Sequence, residues 1–302
     1  MQRGARHSGG YTLIELMIGL GILTLVVLES LAAFVTQQRT YHAQERVVAA
    51  QQDAKLSADM MRSDVRMAGF LVPAFAGISS RDGGTTDADV LCTSDPDALD
   101  DGKIADATDR FDRAVISSAV GAGASSVSIN TGHADVDIDG NDDFVVDQGI
   151  IISDGSASHC AYVTSVSSTS IGFAPPSPSG FTVSASSGRA VPATIYELTG
   201  SGLERNKELL TSQVEDLQVE FGLDANSDGV IAGSEFPIDD ISGANTNQIR
   251  VVRLSVLTRT RSEDPAISGA GRQKVANRDA SGTADAYRRR LVIFRAAPRN
   301  ML

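Results

Sequence analysis

An apolar run near the amino terminus constrains this chain more than any other feature. The run extends from Leu13 to Val35 and contains only two charged residues, Glu15 and Glu29. A helix of about 20 apolar residues is long enough to cross the hydrocarbon core of a bilayer. A carboxylate inside such a helix is costly unless it has a partner, so Glu15 requires a structural reason.

The residues ahead of the run predict its orientation. Residues 1–10 contain Arg3 and Arg6 and no acidic residue. Because basic residues are enriched on the cytoplasmic side of membrane helices, we expect the amino terminus to stay in the cytoplasm and the rest to cross. A secretory signal would have a shorter apolar core with a small-residue cleavage site behind it, so we expect this helix to be retained.

The helix is predicted to continue beyond the apolar run as an amphipathic half. No proline or glycine occurs from Thr36 to Met67, and Gly69 followed by Pro73 marks the expected end. Apolar residues then recur at spacings of three and four, which places them on one face. We expect this stripe to pack on the domain's own sheet rather than in a separate coiled coil, because its members are small: Val47, Ala50, Ala54, Ala58, Met61, Val65 and Ala68.

The remainder of the chain is predicted to be rich in β-structure. Residues from Leu71 to Asp112, the Pro175–Pro178 connection and the segment Arg261–Ala286 are predicted to be loops. In Leu217–Phe221 the alternation of apolar and polar residues predicts one buried face. The predicted strands are Ala114–Ser117, Ser126–Ile129, Phe144–Val146, Gly149–Ser153, Ala161–Val166, Ser170–Phe173, Val191–Leu198, Leu203–Asn206, Val214–Phe221, Gln248–Thr258 and Arg290–Arg295.

These patterns predict an α+β fold, with a long amino-terminal helix packed on a β-rich globular domain. The predicted segments are a short basic segment over residues 1–10, a transmembrane half of the helix over 11–35, an amphipathic half over 36–70 and an exported domain over 71–302. The chain carries 38 acidic and 26 basic residues, a net charge of −12. Since nucleic-acid binding relies on clustered Lys and Arg, we expect no nucleic-acid partner.

A twelve-residue segment after the strand Val214–Phe221 matches a calcium-binding loop. Asp224, Asn226 and Asp228 supply oxygen side chains at positions 1, 3 and 5, Gly229 permits the turn at position 6, and Glu235 stands at position 12. These positions, with the backbone carbonyl of Val230, suit the six to eight oxygen ligands of Ca²⁺. The sequence therefore predicts a structural calcium site, with an acidic turn as the alternative; the helices that flank an EF-hand loop are not predicted.

A second acidic segment, Asp135–Asp147, begins in the same way. Its position 12 is Val146, which has no carboxylate, although Asp142, Asp143 or Asp147 could substitute. A solvated acidic turn is the favoured interpretation of this segment.

Two cysteines, Cys92 and Cys160, lie beyond the membrane run. An exported domain with two cysteines most often pairs them, so we expect a disulfide. Two unpaired buried thiols are the alternative; zinc is disfavoured because no CxxC or HxxxH spacing occurs. No catalytic motif accompanies His133 or His159, so we do not expect an enzyme.

The opening residues Gly10-Tyr11-Thr12-Leu13, with Glu15, resemble the class III leader and helix start of type IV pilins and type II secretion pseudopilins. Three carboxyl-terminal segments and the helix end resemble those of PilW-like minor pilins: Val214–Asp224, Arg250–Arg259, Arg288–Asn300 and Arg62–Phe70.

The resemblance implies specific roles for the opening residues. Gly10 would be the last residue of a leader cut by the prepilin peptidase, and Tyr11 the new, N-methylated terminus. Removal of Arg3 and Arg6 would leave 24 basic and 38 acidic residues, a net charge of −14. Glu15 would pair with the terminal amine of a neighbouring subunit. Glu29 departs from the family pattern, and it would either contact a partner helix or lie near the outer interface.

For function, the resemblance implies a minor pilin that helps to prime type IV pilus assembly and enters the fibre at or near its tip. Its partners would be other minor pilins, the major pilin and a large tip adhesin. It would sit in the bacterial inner membrane, with its globular domain in the periplasm, before reaching the extracellular fibre. The alternatives are a minor pseudopilin of a type II secretion system and a membrane-anchored adhesive module. Whether the fibre serves motility or adhesion stays open.

Overall fold

A computed structural model of the protein describes residues 12–99, 112–264, 269, 271–281 and 283–301. One helix, α1, extends over Leu13–Met67. Its residues up to Val48 belong to one compact unit, and the chain from Ala49 onward forms the other. By length and composition, α1 is the one helix among the described residues that could cross a membrane.

Local sequence explains where α1 ends. Gly69 follows the last turn with a φ of +82°, a conformation that glycine adopts without a steric penalty. A Cβ atom at this position would lie 2.7 Å from Cγ of Met301, so the close approach of the carboxyl terminus also requires glycine. The helix therefore ends close to the position that the sequence predicted.

The described residues of the second unit form fourteen strands, all paired in antiparallel fashion. The strands are β1 (Ile78–Arg81), β2 (Val90–Ser94), β3 (Val120–Gly121), β4 (Ser126–Ser128), β5 (Gly149–Ser153), β6 (Ser158–Ser167), β7 (Ser170–Ala174), β8 (Thr182–Val183), β9 (Arg189–Thr199), β10 (Gly202–Arg205), β11 (Glu208–Thr211), β12 (Val214–Leu223), β13 (Ile249–Arg259) and β14 (Arg289–Ala296).

These strands form two main sheets and one short pair. Seven strands of the larger sheet follow the order β1-β2-β9-β5-β6-β7-β4, and β10 and β11 extend it from β9. The smaller sheet has the order β12-β13-β14, and β3 pairs with β8. Together with the long helix, this arrangement confirms the predicted α+β class.

The larger sheet encloses its own apolar core, and a disulfide crosses it. Cys92 on β2 is bonded to Cys160 on β6, with 5.9 Å between their Cα atoms, although these strands are not neighbours in the sheet. Both residues are fully buried. The bond closes a separation of 68 residues, which stabilises the fold by roughly 4 kcal/mol on the chain-entropy model. The structure thus joins the two cysteines that the sequence predicted to pair.

A second core lies between the carboxyl-terminal half of α1 and the three-stranded sheet. Ala58, Met61, Val65 and Ala68 pack there with apolar residues of β12, β13 and β14. This packing confirms that the helical stripe is covered by the domain's own sheet. Burial of apolar surface stabilises a fold by about 25 cal/mol per Å². Burial of the stripe therefore holds this part of the helix on the domain.

Several strand predictions were wrong. Residues 78–81 and 90–94 form β1 and β2 within the predicted loop, and β11 was missed. β2 is buried on both sides, so its sequence shows no alternation to reveal it. Residues 144–146 form no strand, and Val115 and Ile116 make only isolated bridges.

The prediction that Leu217–Phe221 has one buried face was also wrong, because both faces are covered. Gln218 is fully buried, and its Nε2 donates to the carbonyl of Asp87 at 3.2 Å. Glu220 is 3% exposed and accepts a hydrogen bond from Nε of Arg253 at 2.6 Å. Loops and neighbouring arginines therefore cover the polar face that alternation assigned to solvent.

Candidate functional site: the helix start and two acidic loops

The first described residues of α1 form a reciprocal cap. The backbone N–H and the hydroxyl of Thr12 each donate to Oε2 of Glu15 at 2.9 Å. The backbone N–H of Glu15 donates to Oγ1 of Thr12 at 3.3 Å. This Thr-x-x-Glu capping box satisfies donors that the first helical turn leaves free. Gly10 and Tyr11 lie outside the described residues.

The cap shows that Glu15 has a partner within its own chain. The sequence interpretation assigned Glu15 an intermolecular contact and missed Thr12, although the Thr-x-x-Glu spacing signals the box. Glu29 is exposed on the same helix.

The loop Asp224–Glu235 folds around its first residue. Asp224 follows β12 and is 3% exposed. Its Oδ1 accepts from the backbone N–H of Asp228 at 3.1 Å, and its Oδ2 accepts from that of Gly229 at 3.2 Å. Ser227 and Gly229 have φ values of 60° and 79°, so the chain turns tightly below the carboxylate. The turn is therefore stabilised by the carboxylate of its first residue.

The other predicted ligands of this loop bond to backbone groups. Oδ1 of Asn226 accepts from the N–H of Asp228 at 3.0 Å, and Oδ1 of Asp228 accepts from that of Val230 at 2.7 Å. The carboxylate of Glu235 accepts from the N–H groups of Ala225 at 3.0 Å and Ala232 at 3.1 Å. Glu235, at position 12, therefore reaches back to the start of the loop and closes it.

A nearby cation was not predicted from the sequence. Nε of Arg250, on β13, lies 3.8 Å from Oδ2 of Asp224. The guanidinium offsets part of the loop's negative charge. A divalent ion at this loop would share Asp224 with that arginine.

The loop that begins at Asp135 has the same backbone pattern. The N–H of Asp139 donates to Oδ1 of Asp135, and the N–H of Gly140 donates to Oδ2 of the same residue, both at 3.2 Å. Ile138 and Gly140 have φ values of 63° and 103°, matching the turn of the other loop in sign. The segments that begin at Asp135 and Asp224 therefore share a sequence pattern and fold into similar loops.

Asp143 closes this second loop, in the place where Glu235 closes the first. Its Oδ2 accepts from the N–H groups of Val136 at 2.5 Å and Asp137 at 3.2 Å. The sequence left Asp142, Asp143 and Asp147 open for this role, and the structure brings Asp143 to it. Asp147 instead forms an ion pair with Lys207.

The two loops differ in how close their carboxylates lie. Among the described residues, carboxylate oxygens of Asp135, Asp137 and Asp143 come within 4.8 Å of one another, whereas those of Asp224, Asp228 and Glu235 do not. Burial, together with the charges of Asp137 and Asp135, raises the pKa of Asp143 to about 7. Three acids held this close repel one another, and either a proton or a cation relieves the repulsion.

Both histidines of the second unit bond to backbone carbonyls. Nδ1 of His133 donates to the carbonyl of Arg113 at 3.0 Å, and Nε2 of His159 donates to that of Pro175 at 3.1 Å. Each ring thus has a structural hydrogen bond, and neither contact prepares a nucleophile or base.

The long helix with its capped acidic start, followed by an antiparallel β-domain, is the architecture of a type IV pilin-like protein. Residues 5–28 match the family model described as the prokaryotic N-terminal methylation motif. Residues 180–300, which include β9 to β14 and the Asp224–Glu235 loop, match the model described as Type IV Pilus-assembly protein W, PilW. No curated protein and no solved structure matches the chain.

The two matches lie at opposite ends of one chain and support a type IV pilin-like minor pilin. The carboxyl-terminal match distinguishes PilW-like proteins from the wider group that shares the methylation motif. Residues between the two matches, including β1 to β7, are covered by neither family model.

Proposed function

We propose that the protein is an inner-membrane prepilin that joins other minor pilins to prime type IV pilus assembly. It then enters the fibre at or near its tip, where the major pilin and a large adhesin are its neighbours. The PilW match over residues 180–300 carries this proposal, because the methylation motif alone also suits secretion pseudopilins. Arg3 and Arg6 ahead of the helix support a periplasmic β-domain. The role is structural rather than catalytic.

Deletion of the gene separates the pilus from the secretion hypothesis. A strain without the protein should lose surface pili and still secrete type II substrates, and the wild-type chain supplied in trans should restore the pili. Normal piliation with a secretion defect would replace this proposal with the pseudopilin alternative.

We propose that Glu15 exchanges its intrachain cap for the terminal amine of a neighbouring subunit during assembly. Removal of a leader after Gly10 would create that amine on each processed subunit. A carboxylate in a membrane helix gains most from an opposite charge, because water is absent there. The Thr12 cap would hold the side chain at the helix start until a partner arrives.

Two substitutions separate the charge from the cap. Glu15→Ala removes both, whereas Glu15→Gln keeps an acceptor for Thr12 and removes only the charge. Both variants should accumulate in the inner membrane, and neither should co-purify with other minor pilins or support piliation. Assembly by Glu15→Gln but not by Glu15→Ala would assign the residue to capping; normal piliation with Glu15→Ala would contradict both roles.

We also propose that the Asp224–Glu235 loop binds a structural Ca²⁺. Asp224, Asn226, Asp228, Glu235 and the carbonyl of Val230 would hold the ion, which would supply positive charge to a loop of hard oxygen donors. The support is the loop's inward-wrapped backbone and its closure by Glu235. The Asp135–Asp143 cluster is the competing location for such an ion.

Matched substitutions at position 5 of each loop identify the location. Calcium should raise the thermal midpoint of the full chain in detergent, and a chelator should lower it. Asp228→Ala should abolish the shift, whereas Asp139→Ala should leave it unchanged. The reverse pattern would place the ion at the Asp135 loop, and no shift in the parent protein would exclude a stabilising calcium site.

A further inference from the structure

A cavity of about 350 Å³ lies on the larger sheet, and its lining includes no residue of the two acidic loops. It opens where the end of β1 meets the beginning of β6. A connection rich in proline and the segment before β13 complete its walls. The lining residues are Ser80, Arg81, Asp82, Ser158, His159, Pro175, Pro176, Pro178, Asp240 and Ser242.

Two serines in the cavity wall have unused hydroxyl groups. Ser80 is 4% exposed and Ser158 is 1% exposed, and neither hydroxyl has a hydrogen-bond partner among the described residues. Buried polar groups in folded proteins are nearly always hydrogen-bonded, so an unbonded pair in one wall indicates a missing partner. Both hydroxyl oxygens are buried as placed, so each would have to turn about χ1 to another staggered position to meet a guest molecule.

The charges around the cavity disfavour an anionic guest. Nη2 of Arg81 donates to Oε1 of Glu197 at 3.0 Å, so its positive charge is already shared, although its Nε has no hydrogen-bond partner among the described residues and adds one donor to the wall. Asp82 and Asp240 add two exposed carboxylates to the lining. Burial lowers the pKa of His159, so the imidazole is neutral at pH 7. The cavity thus offers acceptors and hydroxyls without an unpaired cation.

The remaining wall is apolar. Pro175, Pro176 and Pro178 contribute pyrrolidine rings, which carry no donor and present C–H surfaces. A guest that fits must combine an apolar ring face with several hydroxyl groups. A neutral sugar ring has both, and the cavity lies at the small end of the 300–1,000 Å³ that ligand pockets typically span.

We propose that this cavity binds the terminal ring of a neutral carbohydrate. The prolines pack against the ring's C–H face, the carboxylates of Asp82 and Asp240 accept from its hydroxyls, and Ser80 and Ser158 complete the polar contacts. One ring gives few contacts, so we expect a Kd on the order of 1 mM. This proposal concerns a ligand and does not depend on the assembly role or on calcium.

Saturation-transfer NMR on the full chain tests the proposal. The chain is held in dodecylphosphocholine, a detergent without sugar, and the probes are the methyl glycosides of glucose, galactose, mannose and N-acetylglucosamine. At least one glycoside should receive saturation from the protein, and acetate should not. Absence of transfer to all four glycosides, or stronger transfer to acetate, would overturn the proposal.

Three variants locate the binding. Ser242→Trp should fill the cavity and abolish transfer, while the bond from the N–H of Ser158 to the carbonyl of Ser242 involves only backbone and is kept. Asp240→Asn should weaken binding roughly tenfold, because a hydrogen bond to a charged acceptor becomes a bond to a neutral one. Asp239→Asn, one residue away and outside the lining, should bind as the parent does. Unchanged binding by a folded Ser242→Trp variant, checked by circular dichroism, would place the sugar elsewhere.

Discussion

Asp64 connects the carboxyl-terminal half of α1 to the larger sheet. The hydroxyl of Tyr196 donates to its Oδ2 at 2.6 Å, and Nε and Nη2 of Arg205 donate to the same atom at 3.3 and 3.2 Å. One carboxylate oxygen thus satisfies a tyrosine from β9 and an arginine from β10. Loss of this carboxylate leaves the fully buried hydroxyl of Tyr196 without its acceptor and removes the charged partner of Arg205.

We expect Asp64→Ala to destabilise the folded chain by about 2 kcal/mol, because two donors lose a charged acceptor. For a unit of this size, that change lowers the thermal midpoint by several degrees, on the order of 2–4 °C per kcal/mol. Asp59→Ala is the matched control: Asp59 lies on the same helix and pairs with Arg62 at 3.4 Å, mostly exposed. The control should change the midpoint little. Equal midpoints for both variants would contradict the connecting role.

Asp89 makes stability depend on pH. Its carboxylate accepts from the N–H groups of Gly83 at 2.8 Å and Val219 at 2.7 Å, and burial raises its pKa from 3.8 to about 7. The folded chain therefore retains a proton that the unfolded chain releases between about pH 4 and pH 7. Because the folded state binds more protons in this window, its stability falls as pH rises, by at most about 1.4 kcal/mol per pH unit.

Asp89→Asn should flatten this dependence. The free energy of unfolding of both proteins is measured between pH 4 and pH 8 with a chelator present. Asp143 adds a slope of the same sign in both proteins, because its pKa is also raised to about 7. Only the difference between the two curves therefore reports Asp89. Parallel curves would show that Asp89 is ionised throughout the window.

At the scale of elements, the Asp224–Glu235 loop is joined to the outer face of the three-stranded sheet. Phe236 directly follows Glu235, and its ring centre lies 4.5 Å from Cζ of Arg253 and 5.1 Å from Cζ of Arg295. These cation–π contacts hold the end of the loop on β13 and β14. Movement of the Glu235 carboxylate is therefore expected to change the surroundings of the Phe236 ring.

The chain contains no tryptophan, so Phe236→Trp introduces a single fluorescent reporter at this position. Calcium should change the emission of this variant, because an ion would draw Glu235 away from the N–H groups of Ala225 and Ala232. Adding Asp228→Ala should remove the response, and adding Asp139→Ala should preserve it. Calcium that raises the thermal midpoint without changing the emission would show that the ring does not sense the loop.

For the whole molecule, the acidic residues all lie beyond residue 10, whereas residues 1–10 are basic. Arg3 and Arg6 lie ahead of the proposed cut, so processing would change the net charge from −12 to −14. Protein from cells with an active prepilin peptidase should begin at Tyr11 and carry one additional methyl group. Intact mass spectrometry measures both. Retention of residues 1–10 would contradict a pilin-type leader.

The larger features could be predicted from the sequence because they follow from local patterns. The helix was predictable because apolar residues are continuous to Val35 and periodic beyond it. The long strands β9, β12, β13 and β14 were predictable because β-branched residues recur between turns. By contrast, β1 and β2 are short and buried on both faces, and the pairing of β2 with β9 depends on residues about a hundred positions away.

The acidic loops show where sequence and tertiary structure contribute separately. The spacing of acids and glycine determined two similar turns, because each carboxylate bonds backbone groups within the same loop. Only the fold decided that Asp143 closes the second loop, that Arg250 approaches Asp224, and that carboxylates crowd in one loop and not in the other. The approach of Arg250 depends on packing between the loop and β13, and the crowding of the carboxylates depends on the exact geometry of each turn, which the spacing of acids does not specify.

By itself, the sequence determined the membrane helix, its capped acidic start, the stripe that docks on a sheet and the pair of cysteines. Each rests on composition or on spacing within one element. The tertiary structure alone decided the strand order, the burial of both faces of β12, the Asp64 network and the cavity beside His159. Each of these requires side chains from distant segments to meet, and their meeting is fixed by how the two sheets and the helix pack together.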